Sequence, residues 1–202
     1  MAESSPPNAD LDTDELMHLA LRANEQADTE KTIGYLKQVL SAEPNNGMAL
    51  YLLGAQHAQM KMYGRAIAEM EQAIEVEPNI PATAHFQLGL LYLTSGAVPE
   101  AMMSWAPLDQ LGKDDALFLF KRGLVHLIQD EFPECIENLE KGIAVNILYP
   151  ALSMDMQKFV DKARAAMLRP QTPVQPDAAT DAKAPAGSPG ADLSAYKPEA
   201  DD

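Results

Sequence analysis

Hydrophobic and small residues recur at helical spacing through most of this 202-residue chain, and the clearest stretch runs from Met48 to Pro78. Its apolar positions form two helical periods, which are interrupted at residues 61–63. Each period is too short to bury its apolar stripe alone. Gly54 and Ala66 are small residues at the positions where two antiparallel helices would cross. The stretch therefore predicts one helix–turn–helix unit that requires neighbouring units.

The same pattern recurs along the chain at shifts of about 34 residues. A small residue stands in the first helix of each copy: Ala20, Gly54, Gly89 and Gly123. A large apolar residue stands in the second helix of each copy: Leu36, Met70, Trp105 and Leu139. With its W/L-x-x-L-G-x-x-Y … A-x-x-x-F … P pattern, the sequence resembles the tetratricopeptide repeat family over about residues 13–149.

The resemblance implies an all-α, right-handed solenoid of four helix pairs. We predict the pairs at residues 14–26 and 29–42, 47–60 and 63–76, 82–95 and 98–111, and 115–129 and 132–145. The corresponding repeats are 13–46, 47–80, 82–115 and 116–149. Pro107 falls inside the second helix of the third pair, where it should kink or end that helix. Gly96 is expected at the turn of the same pair.

The two ends of the folded region are also predicted from local patterns. Asp12 with Glu15 has the spacing of a capping box, so the folded part should begin near Thr13. A capping helix is expected at 153–168, because one helical face is apolar: Met156, Phe159, Val160, Ala163 and Met167. Together these limits define a predicted domain at 13–168.

Residues outside this domain have a different composition. Residues 1–12 are mainly polar and contain a Pro pair, and residues 169–202 are acidic and rich in Pro and Ala. Both segments have too few large apolar residues to offset the entropy lost on ordering. We therefore predict a disordered N-terminus and a disordered tail.

The net charge of the chain makes some classes of binding partner unfavourable. The formal net charge is −15, which disfavours nucleic acid because phosphate binding requires clustered Lys and Arg. The sequence contains no apolar run of membrane-spanning length and no N-terminal signal, so we expect no membrane insertion and a cytoplasmic location.

Candidate chemistry is sparse. His57 and His126 occupy the same slot in different repeats, too far apart to share an ion, so we predict packing and no metal site. Cys135 replaces a small core residue and is expected to be inert. No phosphate-binding loop, catalytic carboxylate pair or Ser-His-Asp order is recognisable. We predict no enzymatic activity and no cofactor.

The resemblance implies that the first helix of each pair lines a concave groove. The inward positions that it assigns here are Met17, Tyr51, Phe86 and Phe120 in one slot, Leu21, Ala55, Leu90 and Leu124 in the next, and Asn24, Ala58, Leu93 and Leu127 beyond. All of these except Asn24 and Ala58 are predicted to contact the partner. Family members that hold the acidic tails of heat-shock chaperones use Lys, Arg and Asn at such positions. The apolar residues disfavour that activity, and an exposed apolar groove usually marks an interaction site.

These observations predict a non-enzymatic adaptor or chaperone-like protein that holds an apolar segment of a protein or peptide partner in the groove. In architecture and charge the chain is similar to the tetratricopeptide chaperones of bacterial type III secretion. Alternatively, the groove is filled by the ninth helix, the N-terminal segment or a second copy. The apolar positions would then be ordinary core. A separate alternative is a structural or assembly protein that self-associates as a homo-oligomer, through the groove or a solenoid end.

Overall fold

The structure, a computed structural model, describes residues 11–168, which form α-helices and one 3-10 segment and contain no strand. The helices are α1 (Thr13–Glu25), α2 (Thr29–Ala42), α3 (Gly47–Gln59), α4 (Tyr63–Val76), α5 (Ala82–Thr94), α6 (Val98–Trp105), α7 (Ala116–Ile128), α8 (Phe132–Val145) and α9 (Pro150–Leu168). The predicted all-α fold and its order of helix pairs are confirmed. Of the predicted disordered ends, only residues 11 and 12 lie within the described residues.

The chain divides into two compact units, one ending at Tyr92 and the other beginning at Leu93. The boundary falls within α5. In the first unit, α1 packs on α2, and α3 packs on both α2 and α4. In the second unit, α7 packs on α8 and α8 packs on α9. The assignment of residues 13–168 to a single domain stays a prediction.

Glycine allows close packing inside two helix pairs. A Cβ atom on Gly54 would lie 2.9 Å from Met70 Cγ and 3.1 Å from the Ala66 carbonyl oxygen. A Cβ atom on Gly123 would lie 2.6 Å from Leu139 Cγ. These distances are shorter than van der Waals contact, so the repeated small residue brings α3 to α4 and α7 to α8.

Two helix ends form as their residues predict. The Asp12 carboxylate accepts a hydrogen bond from the Glu15 N–H at 2.8 Å, and the Glu15 carboxylate accepts one from the Asp12 N–H at 3.1 Å. The capping box at the start of α1 is therefore confirmed. The α6 helix ends at Trp105, and Ala106–Gln110 continue as a 3-10 turn that contains Pro107. The predicted break at this proline is also confirmed.

The helix that follows the last repeat begins at Pro150, earlier than predicted, and proline suits the first turn of a helix. Its buried side chains form one face toward α8: Leu152, Met156, Phe159, Val160 and Ala163. Arg164 donates a hydrogen bond to Glu140 and adds a polar contact between the two helices. Met167 is exposed, so the prediction that the apolar stripe extends to this residue was wrong.

Each turn inside a helix pair contains one residue in the left-handed backbone conformation. Gly96 has φ +85°, as expected for a turn glycine, but Ala27, Lys61 and Asp130 have φ values of 55°, 60° and 59°. Alanine has neither the freedom of glycine nor a polar group that could hydrogen-bond locally in this conformation. Ala27 is therefore a site of local strain.

Replacing Ala27 with glycine should raise the free energy of unfolding by about 0.5–1 kcal/mol, because it relieves the left-handed strain. The exposed helical residue Ala68 is the matched control, since Ala68→Gly should lower stability by about 1 kcal/mol. Urea denaturation followed by circular dichroism measures both changes. A loss of stability in both variants would contradict the prediction.

Candidate functional site

The helices α1 and α3 and the part of α5 up to Tyr92 belong to the first unit, and they are neighbours. Gln56 of α3 donates a hydrogen bond from Nε2 to Asn24 Oδ1 of α1 at 2.8 Å. The Tyr51 hydroxyl of α3 donates one to Thr83 Oγ1 of α5 at 3.3 Å. Both Gln56 and Thr83 are buried, so these bonds satisfy polar groups that would otherwise be costly to bury. The predicted site residues on α1, α3 and α5 therefore belong to adjacent helices.

Six predicted site residues lie in the first unit, and they form two rows. The inner row consists of Met17, Tyr51 and Phe86, and the outer row consists of Leu21, Ala55 and Leu90. In the inner row, Met17 is half-buried, whereas Tyr51 and Phe86 are buried. In the outer row, the Leu21 side chain is 40% exposed, and Ala55 and Leu90 are half-buried. The outer row is the more accessible to a partner.

The other four predicted site residues lie in the second unit, and all are buried: Leu93, Phe120, Leu124 and Leu127. Phe120 is 0% exposed and packs on α8, because a Cβ atom at Gly142 would lie 2.6 Å from its ring carbons. The glycine leaves the space that the ring occupies. That these four residues contact a partner stays a prediction, and such contact would require their side chains to move.

A charged side chain next to these buried residues forms an ion pair. Lys121, next in sequence to Phe120, is buried, and its Nζ lies 2.6 Å from Asp109 Oδ2. Asp109 is exposed and belongs to the 3-10 turn after α6. The ion pair therefore depends on the helix break at Pro107, and no pattern in the sequence marks Asp109 as the partner of Lys121.

The two histidines of the shared slot each contact a carboxylate. His57 Nδ1 lies 2.6 Å from Glu69 Oε2, and His126 Nδ1 lies 2.6 Å from Glu131 Oε2. The two carboxylates occupy different positions of the repeat, so the shared position of the histidines does not predict these contacts. Among residues 11–168, no group of three or more His, Cys, Asp and Glu side chains could hold a metal ion.

The thiol of Cys135 is buried in the second unit. Burial raises the pKa of the Cys135 thiol to about 12, because the thiolate would lose hydration. The group is therefore protonated at neutral pH, and a protonated thiol is a poor nucleophile.

Comparison with known proteins yields matches among solved structures. No family model matches the chain, and no curated protein matches it. A crystal structure of MamA protein has a TM-score of 0.50 at 23% identity, over 77% of this chain and 87% of that one. A MamA fragment from Desulfovibrio magneticus RS-1 has a TM-score of 0.50 at 20% identity, over 77% and 89%.

A third match is a mutant O-GlcNAc transferase from Thermobaculum terrenum, with a TM-score of 0.55 at 22% identity. It covers 68% of this chain but only 27% of the transferase. These neighbours contain tetratricopeptide repeats. The chain has the tetratricopeptide repeat fold. The four helix pairs correspond to four repeats, and α9 follows the fourth.

No helix within residues 11–168 is both long and apolar enough to cross a membrane.

Proposed function

We propose that this chain is a non-enzymatic protein-interaction adaptor that binds an apolar segment of a partner polypeptide. The observation that carries the proposal is the outer row, in which Leu21, Ala55 and Leu90 occupy one repeat slot on three neighbouring helices. Each of the three is apolar and at least partly accessible. A partner segment would cover the outer row, and the more buried side chains of the inner row would support the outer row.

The chemistry of the two rows favours an apolar ligand over a charged one. The six side chains carry no charge, whereas recognition of an acidic peptide requires Arg or Lys donors. Apolar side chains that recur on one face of a helix or an extended strand can enter such a surface together. Tyr51 and Phe86 are fixed by burial, so little side-chain entropy is lost when a ligand packs above them.

The test begins with a phage-displayed library of random peptides, because the natural partner is unidentified. We expect the selected peptides to be enriched in large apolar residues. Fluorescence polarisation then compares the wild type with a Leu21→Glu/Leu90→Glu variant. Two carboxylates in the outer row should weaken binding at least about tenfold, which corresponds to roughly 1.4 kcal/mol.

A control variant places a new carboxylate outside both rows. Met60 is exposed at the end of α3, outside both rows, so Met60→Glu should leave peptide affinity unchanged. Helical circular dichroism checks that each variant is folded. Selection of acidic peptides, or equal affinities for the wild type and the outer-row variant, would reject the proposal.

A further inference from the structure

The connection between α8 and α9, together with the first two residues of α9, exposes an uninterrupted run of apolar residues. Residues 147–151 read Ile-Leu-Tyr-Pro-Ala, and all five are exposed. The Ile147 side chain is 85% exposed and the Leu148 side chain is 78% exposed. Runs of this length are avoided on the surfaces of soluble proteins unless they have a function. The surrounding unit is charged, since Asp and Glu outnumber Lys and Arg by 11 to 7 over residues 93–168.

The loop that carries this run is held in one conformation by a side chain. Asn146 donates hydrogen bonds from Nδ2 to the Tyr149 carbonyl oxygen at 2.7 Å and to Ser153 Oγ at 2.8 Å. Its Oδ1 accepts a hydrogen bond from the Tyr149 N–H at 3.1 Å. These bonds close the loop on the first turn of α9. Ile147 and Leu148 therefore project from a preorganised loop, and little entropy is lost when they are covered.

Two further side chains extend the exposed run at its ends. Val145 is exposed at the end of α8, and Met154 is exposed on the second turn of α9. We call the set Val145, Ile147, Leu148, Tyr149 and Met154 the end patch. Its exposed area is on the order of 500 Å², near the upper limit for the largest apolar patch on a typical monomer.

We propose that the end patch is covered by the end patch of a second copy of this chain. A two-fold arrangement uses the same surface on both copies, so each side chain finds an apolar counterpart. Two such patches bury about 1,000 Å² in total, which is the lower limit for a specific interface. An interface of this small size is expected for a weak, reversible dimer.

The charges around the end patch also suit a second copy. An isologous rim requires both signs, because each charged group faces the same patch on its partner. Asp155 and Lys158 lie within four residues of Met154 on α9 and pair at 2.9 Å, so both signs of charge lie close to the end patch. The net charge of −15 disfavours the other common apolar acceptor, a membrane surface with anionic lipids.

The test is sedimentation velocity on the full chain over concentrations from about 1 to 200 μM, a range chosen for a weak dimer. We expect the wild type to shift from its 22.0 kDa monomer toward a dimer with increasing concentration. An Ile147→Glu/Leu148→Glu variant should dimerise at least about tenfold more weakly, because carboxylates would face each other across the two-fold axis.

The control variant is Met103→Glu, since Met103 is an exposed apolar residue of the same unit on α6, outside the end patch. It should dimerise like the wild type. A wild type that stays monomeric at every concentration overturns the proposal, as does a dimer that the Ile147→Glu/Leu148→Glu variant retains. Co-sedimentation of a monomeric wild type with phosphatidylcholine vesicles, lost in the variant, would instead assign the end patch to lipid.

Discussion

Truncation of Phe120 to alanine should lower the free energy of unfolding by about 3–5 kcal/mol, which is the usual cost of removing a buried aromatic ring. Phe120 is 0% exposed, and its ring fills the space beside Gly142 on α8. Urea denaturation followed by helical circular dichroism measures the loss. Leu21→Ala is the control, because Leu21 is 40% exposed and its truncation should cost less than truncation of the fully buried ring.

A double-mutant cycle with Gly142 makes the prediction specific. Gly142→Ala alone should destabilise the chain, because the new methyl group would lie 2.6 Å from the Phe120 ring carbons. In the Phe120→Ala background the same methyl group would occupy vacated space, so Gly142→Ala should then be neutral or stabilising. Equal effects of Gly142→Ala in both backgrounds would show that the ring and the glycine do not share this space.

This prediction affects how binding experiments on the predicted groove are interpreted. Phe86 and Phe120 are both fully buried, so alanine variants at these positions change the core before they change any surface. Lost partner binding in such variants would not separate contact from misfolding. Leu21 and Leu90 are better probes, because they belong to the predicted groove and remain partly accessible.

The helix pairs could be predicted from sequence because their causes are local. Gly54 and Gly123 mark the close contacts within their pairs, and each acts over a short stretch of chain. The capping box at Asp12 and the break at Pro107 depend on backbone chemistry within one or two helical turns. Such local features have the same structural effect wherever they occur in the chain.

The burial of the inward positions could not be predicted in the same way. A repeat pattern shows on which face of its own helix a residue lies. It does not show which other residues bury that side chain. Phe120 and Leu21 both occupy inward positions, yet one is completely buried and the other is accessible. The difference depends on particular partners, such as Gly142 on another helix, that the repeat pattern does not specify.

The end patch was missed for a related reason. Ile147 occupies the slot in which Pro44 and Pro78 close earlier repeats, so the sequence shows only that a closing proline is absent. Its exposure follows from the Asn146 hydrogen bonds, which direct the loop back onto α9. An apolar residue in a loop is equally compatible with burial until those contacts are known.

Trp105→Ala is the other substitution with a large expected effect, a loss of about 3–5 kcal/mol in the free energy of unfolding. Trp105 is 0% exposed at the last position of α6, immediately before the 3-10 turn. Leu36, Met70 and Leu139 occupy the same repeat slot and are equally buried. The slot therefore requires a large apolar side chain, and alanine would leave a cavity there.

The residues found at this repeat position predict that the loss of stability depends on the size of the side chain that replaces Trp105. Trp105→Leu should cost much less than Trp105→Ala, because leucine fills the equivalent slot in two other repeats. Met103→Ala, two positions earlier on the exposed side of α6, should change stability by no more than about 0.5 kcal/mol. Urea denaturation followed by helical circular dichroism ranks the three variants, since the substitutions at Trp105 remove the only tryptophan as a fluorescent probe. Equal losses for leucine and alanine would contradict the prediction that this slot is stabilised by side-chain volume.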